Sequence, residues 1–167
     1  MENVRITNVM RVMRVDTVLD LEQLHQQFGG KLFRGRPEML LLRMSNGRNV
    51  QLFRRGTIQI LGRLQQREAE KMRREVLQCL QLRTAPPLVI TNIVISAQLT
   101  KKKLVLRNMN DVNVFYETEL FPAALIDKWY PAHVAVFHNG KVILTGVKTV
   151  KKCHEIFTSL IDFLHNK

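Results

Sequence analysis

The sequence predicts an α+β fold in which two pseudo-symmetric repeats form one curved antiparallel sheet with helices on its convex face. Three observations predict it. Residues 6–8 read Ile-Thr-Asn and residues 90–92 read the same, and this offset of 84 carries without a gap through much of the remaining chain. With that one shift Leu41 falls on Leu125, Val50 on Val134, Phe53 on Phe137, Gly56 on Gly140, Gly62 on Gly146 and Leu80 on Leu164. Each copy then runs through several short strand-like segments into one long amphipathic helix. A period this long means two copies of one structural unit, not a solenoid of small ones. Residues 1–84 are read as the first repeat and 85–167 as the second, together one domain with a shared core.

The elements follow in the same order in both copies. Residues 4–15 and 88–99 are rich in Val, Ile and Thr and open each copy as strands. Residues 19–28 space Leu21, Leu24 and Phe28 for a short helix, and residues 103–109 offer a weaker equivalent. Strand-like runs at 38–44, 49–54 and 57–62 are matched by 122–128, 133–138 and 141–146. A long helix closes each copy. Its apolar stripe is Ala69, Met72, Val76, Cys79 and Leu80 in the first and Cys153, Ile156, Phe157, Leu160, Ile161 and Leu164 in the second. The join, Thr84-Ala85-Pro86-Pro87, holds two prolines that stop the helix, which predicts a short linker and not a floppy hinge.

Charge narrows the partner class. The net charge of +12 is uneven: residues 1–84 hold 16 Lys/Arg against 8 Asp/Glu, and residues 85–167 hold 10 against 6. Such a surplus favours a polyanion, nucleic acid above all, through phosphate neutralisation and counterion release. Charge alone does not separate DNA from RNA or a membrane surface. No apolar run approaches the roughly 20 residues that span a bilayer, and the N-terminus lacks a signal-peptide core, which predicts a soluble, intracellular protein without a membrane partner. Cys79 and Cys153 occupy matching helical positions without the Cys/His spacing of a zinc site and are read as small core residues. His25, His133, His138, His154 and His165 are scattered. No nucleophile-base arrangement, carboxylate pair or phosphate-cradling glycine loop is visible, so neither enzyme chemistry, nor a cofactor, nor a small-molecule substrate is expected.

Strand parity supplies the central argument, because alternate residues point to opposite faces of a sheet. Ala135 and Phe137 share one face with Lys141, Ile143 and Thr145 if the turn at His138-Asn139-Gly140 preserves register, while Val134, Val136, Val142 and Leu144 take the other. In the first copy the corresponding face carries Gln51, Phe53, Thr57, Gln59 and Leu61. Helices can cover only one of two largely apolar faces, and an uncovered apolar face marks an interaction surface. A duplicated basic protein with such a face, and with phenylalanines near its strand ends, points to the DNA minor groove.

At these residues the chain resembles the TATA-box-binding protein family, across essentially its whole length. The resemblance is most specific at residues 116–122 (YETELFP), at residues 137–148 (FHNGKVILTGVK) and at the repeated Thr-Asn-Val/Ile start, and it is stronger in the second repeat than in the first. It implies a saddle fold whose concave sheet binds double-stranded DNA in the minor groove at A·T-rich promoter sites. It implies that Asn8 and Asn92 donate to base acceptors there, which favours A·T steps without distinguishing strand direction. The family wedges two phenylalanines per repeat between base steps; Phe121, Phe137 and Phe53 match three of the four positions and Pro37 occupies the last. Insertion is therefore expected to be asymmetric, strong under the second repeat and weak or absent under the first. Thr145 is kept where the first repeat has Leu61, and Gln59 stands opposite Ile143 as a departure from the apolar pattern. Met10, Val12, Val94 and Ser96 continue the groove-facing strands.

The resemblance further implies phosphate contacts by Arg36, Arg43, Arg63, Lys141 and Lys148, with Asp127 replacing an expected arginine beside Lys128. Glu117, Glu119 and Leu120 match the loop that the family offers to a TFIIB-like initiation factor. Arg67, Lys71, Arg73 and Arg74 give the first long helix a basic outer stripe, read as a solvated face in preference to a second surface for transcription machinery. The family's usual location is the nucleus. The main rival reading is an adapter with weak or lost DNA specificity that docks or sequesters transcription factors, favoured by Pro37, Gln59, Leu61 and Asp127. A basic RNA-binding α+β domain explains the charge but not the duplicated asparagines.

Overall fold

Alternating burial along almost every strand is the feature that organises this molecule. The structure, a computed structural model, describes residues 2–100, 103–109 and 111–165. In chain order the elements are β1 (Glu2–Arg14), α1 (Leu21–Phe28), β2 (Lys31–Phe33), β3 (Met39–Arg43), β4 (Asn49–Phe53), β5 (Thr57–Leu61) and α2 (Gln66–Cys79). The second series is β6 (Val89–Gln98), β7 (Val114–Phe115), β8 (Ala123–Ile126), β9 (His133–Phe137), β10 (Lys141–Val147) and α3 (Val150–His165). The strands pair antiparallel in the order β2-β3-β4-β5-β1 in the first series and β6-β10-β9-β8-β7 in the second, and the expected α+β class is what the structure shows. By packing, the chain divides into two compact units, Val9–Thr91 and Met1–Asn8 with Asn92–Lys167.

In the unit Val9–Thr91 one parity of each strand is buried. Leu40 and Leu42 of β3, Val50 and Leu52 of β4, and Ile58 and Ile60 of β5 form a core with Leu21 and Leu24 of α1 and Ala69, Met72, Val76 and Leu77 of α2. Each such side chain contributes about 1.5–3 kcal/mol by leaving water. The α2 stripe is shifted from its expected set: Cys79 and Leu80 are only partly buried, and Leu77 is buried in their place. Helix α1 starts where Asp20 accepts from the Gln23 N–H at 3.0 Å, satisfying one of the donors a helix start leaves open. The linker after α2 is pinned by Arg73, whose guanidinium donates to the Ala85 and Pro86 carbonyls at 2.5 and 3.3 Å. Arg73 therefore anchors the join and is not part of an exposed basic stripe, whereas Arg67, Lys71 and Arg74 are exposed.

The second unit repeats the scheme. Ile93, Ile95 and Ala97 of β6, Val134 and Val136 of β9, and Val142 and Leu144 of β10 are buried, as are Cys153, Ile156, Phe157, Leu160 and Phe163 of α3. Helix α3 packs on β10. Here the stripe gains Phe163, while Ile161 and Leu164 lie at its half-buried margin. Burial pushes the Cys153 thiol above its ordinary pKa, in keeping with an inert core residue.

The 84-residue offset is reproduced by individual hydrogen bonds. Val15 donates to the Gly56 carbonyl at 2.9 Å and Leu99 donates to the Gly140 carbonyl at 2.9 Å. Both glycines close three-residue hairpin loops at positive φ, 80° for Gly56 and 78° for Gly140. A Cβ at either would lie 2.2 Å from a carbonyl oxygen, that of Val15 or of Thr100, so the sequence has no alternative to glycine there. The correspondence slips by one residue just afterwards, where Leu19 donates to Arg54 in one unit and Leu104 donates to His138 in the other. In that stretch the expected helix at 103–109 is absent: residues Leu106–Asn108 make a single 3-10 turn, and Val105 provides no capping side chain where the first copy has Asp20.

Candidate nucleic-acid interface

The half-buried parity of the strands collects most of the predicted contact residues on the sheet face opposite the helix core. In the unit Val9–Thr91, Met10 pairs with Leu61 and Val12 with Gln59 across β1 and β5, and Gln51 pairs with Gln59 across β4 and β5. Phe53 and Arg43 have the same parity on β4 and β3, with Arg43 exposed at the strand end. In the other unit Ile143 pairs with both Ser96 and Ala135, so the predicted register around the β9–β10 turn is the observed one. Asn92, Val94, Phe137, Lys141 and Thr145 share that parity, and Asn8 is half-buried on β1 in step with Met10 and Val12. Asn8, Asn92, Phe53 and Phe137 thus stand on the helix-free parity of their strands and not in the core.

Asn92 is held in a defined orientation. Its amide oxygen accepts the Gly146 N–H at 2.8 Å, and the Thr145 hydroxyl lies 3.2 Å from its amide nitrogen and 3.3 Å from its amide oxygen. The amide nitrogen carries two N–H donors and a single hydroxyl accepts at most one, so a donor remains for an acceptor presented to this face. Leu61 brings no hydroxyl to the corresponding place in the first copy. A polar residue the sequence reading passed over, Gln98, shares the face but is committed locally: its amide donates to the Thr100 and Asn139 carbonyls at 2.6 and 2.7 Å.

The aromatic residues differ between copies as their sequences do. Phe121 and Phe137 form a ring pair with centroids 6.1 Å apart and planes at 59°, and Phe121 keeps 41% of its surface exposed. Such an edge-tilted pair supports itself without being buried. In the first copy Pro37 replaces the second ring, and an open cleft of about 550 Å³ lies between Pro37, Phe53, Thr57 and Gln59, edged by Arg36, Arg54 and Arg55.

Cations are unequally available. Arg54 donates to Glu38 at 2.5 Å and to Glu22 at 2.8 Å. That pairing holds the Glu38 carboxyl below the usual carboxylate range, chiefly through the Arg54 hydrogen bond, and raises Arg54 further. The carboxylate's contribution to folding is therefore complete above the unfolded carboxyl pKa of about 4.3 and is lost as pH falls through the lower folded value. Glu38→Gln is expected to lower the melting temperature at pH 7, and its gap from wild type should close below about pH 4 in thermal melts taken as a pH series. Arg11, counted among the positive charges, is 5% exposed on the helix side, where its guanidinium donates to the Leu64 carbonyl at 3.0 Å. Burial lowers its pKa, and it does not meet a ligand on the opposite face. Arg36 and Arg63 are exposed. Lys148 stands apart from the others, beside Trp129 and Lys152 in a depression that reaches Ile156 of α3. Asp127, at the position of an expected arginine, places its carboxylate 2.7 Å from Nδ1 of His133.

Glu117, Glu119 and Leu120 lie in the loop before Phe121, all exposed, with Leu120 at 72%. The loop is a folded turn in which Leu120 and Phe121 both donate to the Glu117 carbonyl, at 3.1 and 3.0 Å. Among the described residues no group of three or more His, Cys, Asp or Glu could hold a metal ion, and no helix is long and apolar enough to cross a membrane.

Sheet, helices and duplicated turns together define a TATA-box-binding-protein fold. The solved structure of Methanococcus jannaschii TBP matches with a TM-score of 0.78 at 22% identity, covering 99% of this chain and 99% of that one. Residues 87–167 match the family model described as "Transcription factor TFIID (or TATA-binding protein, TBP)", which is the repeat where the sequence resemblance is stronger. No curated protein sequence matches the chain. The fold implied by the resemblance is thus what the structure shows, and the family model matches the second repeat.

Proposed function

We propose that this protein is a transcription initiation factor that binds the minor groove of A·T-rich promoter DNA, bends it by inserting Phe121 and Phe137, and presents Glu117, Glu119 and Leu120 to a TFIIB-like factor in the compartment of its transcription apparatus. The observation that carries the reading is the oriented amide of Asn92 on the same sheet face as a partly exposed phenylalanine pair. The minor-groove edges of A·T and T·A pairs offer acceptors, which suits an amide donor, and apolar wedges kink a duplex at the steps they enter. Met10, Val12, Val94, Ile143 and Thr145 supply the adjoining surface, while Arg36, Arg43, Arg63, Lys141 and Lys148 supply phosphate attraction that positions the complex without reading sequence. The two repeats, 1–84 and 85–167, contribute unequal sets of these groups.

A second reading is favoured by one observation, the replacement of a ring by Pro37 and of a hydroxyl by Leu61 in the first copy. It makes the protein an adapter that captures initiation factors with little DNA specificity. Gel-shift titration with an A·T-rich duplex, combined with end-to-end energy transfer, separates the two. The expected result is salt-sensitive binding with a large bend and a preference over G·C-rich duplex. Absence of duplex binding at low salt together with capture of a TFIIB-like factor selects the adapter, and preference for RNA over the matching duplex overturns both.

A further inference from the structure

The cleft beside Phe53 is the space that a second ring occupies in the other copy. Phe121 leans on Phe137 there, at 6.1 Å, whereas Pro37 leaves the Phe53 ring face open in a cleft of about 550 Å³. That volume lies within the ordinary range for sites that enclose a small molecule. Its chemistry is specific. One wall is an aromatic face; the Thr57 hydroxyl and the Gln59 amide make no side-chain hydrogen bond to the described residues, and each can both donate and accept. Glu38, which also lines the cleft, and Glu22 are matched by Arg54 and Arg34, so the cleft's remaining charge comes from Arg36 and Arg55, both exposed and without an ion pair among the described residues. An aromatic wall, hydrogen-bonding groups free of a side-chain partner among the described residues and two guanidinium groups without an ion pair among them are complementary to a base carried on a phosphate backbone.

We propose that the first repeat does not wedge a base step but receives one unstacked nucleobase of the bound duplex in this cleft, stacked on Phe53, read by Thr57 and Gln59, and with its phosphates on Arg36 and Arg55. The proposal rests on the DNA-binding reading above and gives the first repeat a different task from the second. Taking a base out of the stack costs least where its pair is already broken, so a mismatch there strengthens binding. An abasic nucleotide at the same position also loosens the duplex but removes the occupant.

The test scans single mismatches and single abasic sites along an A·T-rich duplex, with affinity and bend measured for each. At one position near one end of the site, the mismatch is expected to tighten binding at least about fivefold, a span typical of one base stacked on an aromatic ring, while the abasic site at that position does not. Pro37→Phe, which fills the cleft, and Phe53→Leu, which removes the π-face but keeps apolar bulk, are each expected to abolish that difference. Mismatch and abasic site acting alike at every position would overturn the proposal, because that is the behaviour of a flexible kink; a cleft reserved for a partner protein's side chain gives the same result. Persistence of the difference in both variants would also overturn it. Failure to bind any duplex removes the DNA-binding reading as well, whereas binding and bending with no such difference removes only the cleft's occupant.

Discussion

Phe121→Ala combined with Phe137→Ala is expected to abolish most of the DNA bend and to weaken binding about ten- to a hundredfold, with a much smaller effect on the fold. The reasoning begins with burial. Phe121 is 41% exposed and Phe137 half-buried, and their rings lean on each other at 6.1 Å on the side of the sheet away from α3. Removing both deletes one tilted aromatic contact, worth about 0.5–1.5 kcal/mol beyond area, and little of the helix-side core. Bound to DNA, each inserted ring offsets the few kcal/mol needed to unstack a base step, so without them the kink is no longer supported. Stacking of about 1–3 kcal/mol per base sets the expected affinity loss. End-to-end energy transfer on the bound duplex reads the bend directly. Retention of the wild-type bend by the double variant would overturn insertion at this end of the site.

Parity is the reason Phe137 and Phe53 were legible in the sequence, whereas Phe121 was reached through the family resemblance. Once the 84-residue offset fixed which segments correspond, the alternation of Val134, Val136, Val142 and Leu144 with Ala135, Phe137, Ile143 and Thr145 assigned faces without any coordinate, because a one-residue slip would invert every side chain at once. The long helices were legible through their apolar stripes, though each stripe is displaced by about one residue, toward Leu77 and Phe163, since a helix in contact with a sheet buries a wider arc than a strict periodic count marks out. What failed was local. Strands β2 and β7, of three and two residues, are too short to show a period. The helix expected at 103–109 lacks a counterpart to Asp20. The Arg54–Glu38–Glu22 network and the Arg73 anchor join residues 12 to 32 positions apart, and nothing in a charge count distinguishes such cations from free ones.

Phe157→Ala provides the opposite case, one residue type placed in the core. Phe157 is 1% exposed on α3, among Cys153, Ile156 and Leu160, which are no more than 2% exposed. Truncating a fully buried phenylalanine forfeits its transfer free energy and leaves a cavity that close-packed neighbours fill only in part, at a cost of about 3–5 kcal/mol. Against a total stability of about 5–15 kcal/mol that is a large fraction, and for a chain of this size it corresponds to a fall in melting temperature of roughly 6–20 °C. The α3 stripe is then the test of which face holds the molecule together. Far-ultraviolet circular dichroism melts of Phe157→Ala and of the Phe121/Phe137 double variant, run side by side, should show the single buried change costing more stability than the two half-exposed ones together. DNA bending by Phe157→Ala, measured well below its lowered melting temperature, should stay near wild type because α3 meets β10 from the side opposite the rings. Equal loss of stability in the two proteins would place Phe121 and Phe137 in the core and remove the free face on which the proposed DNA binding depends.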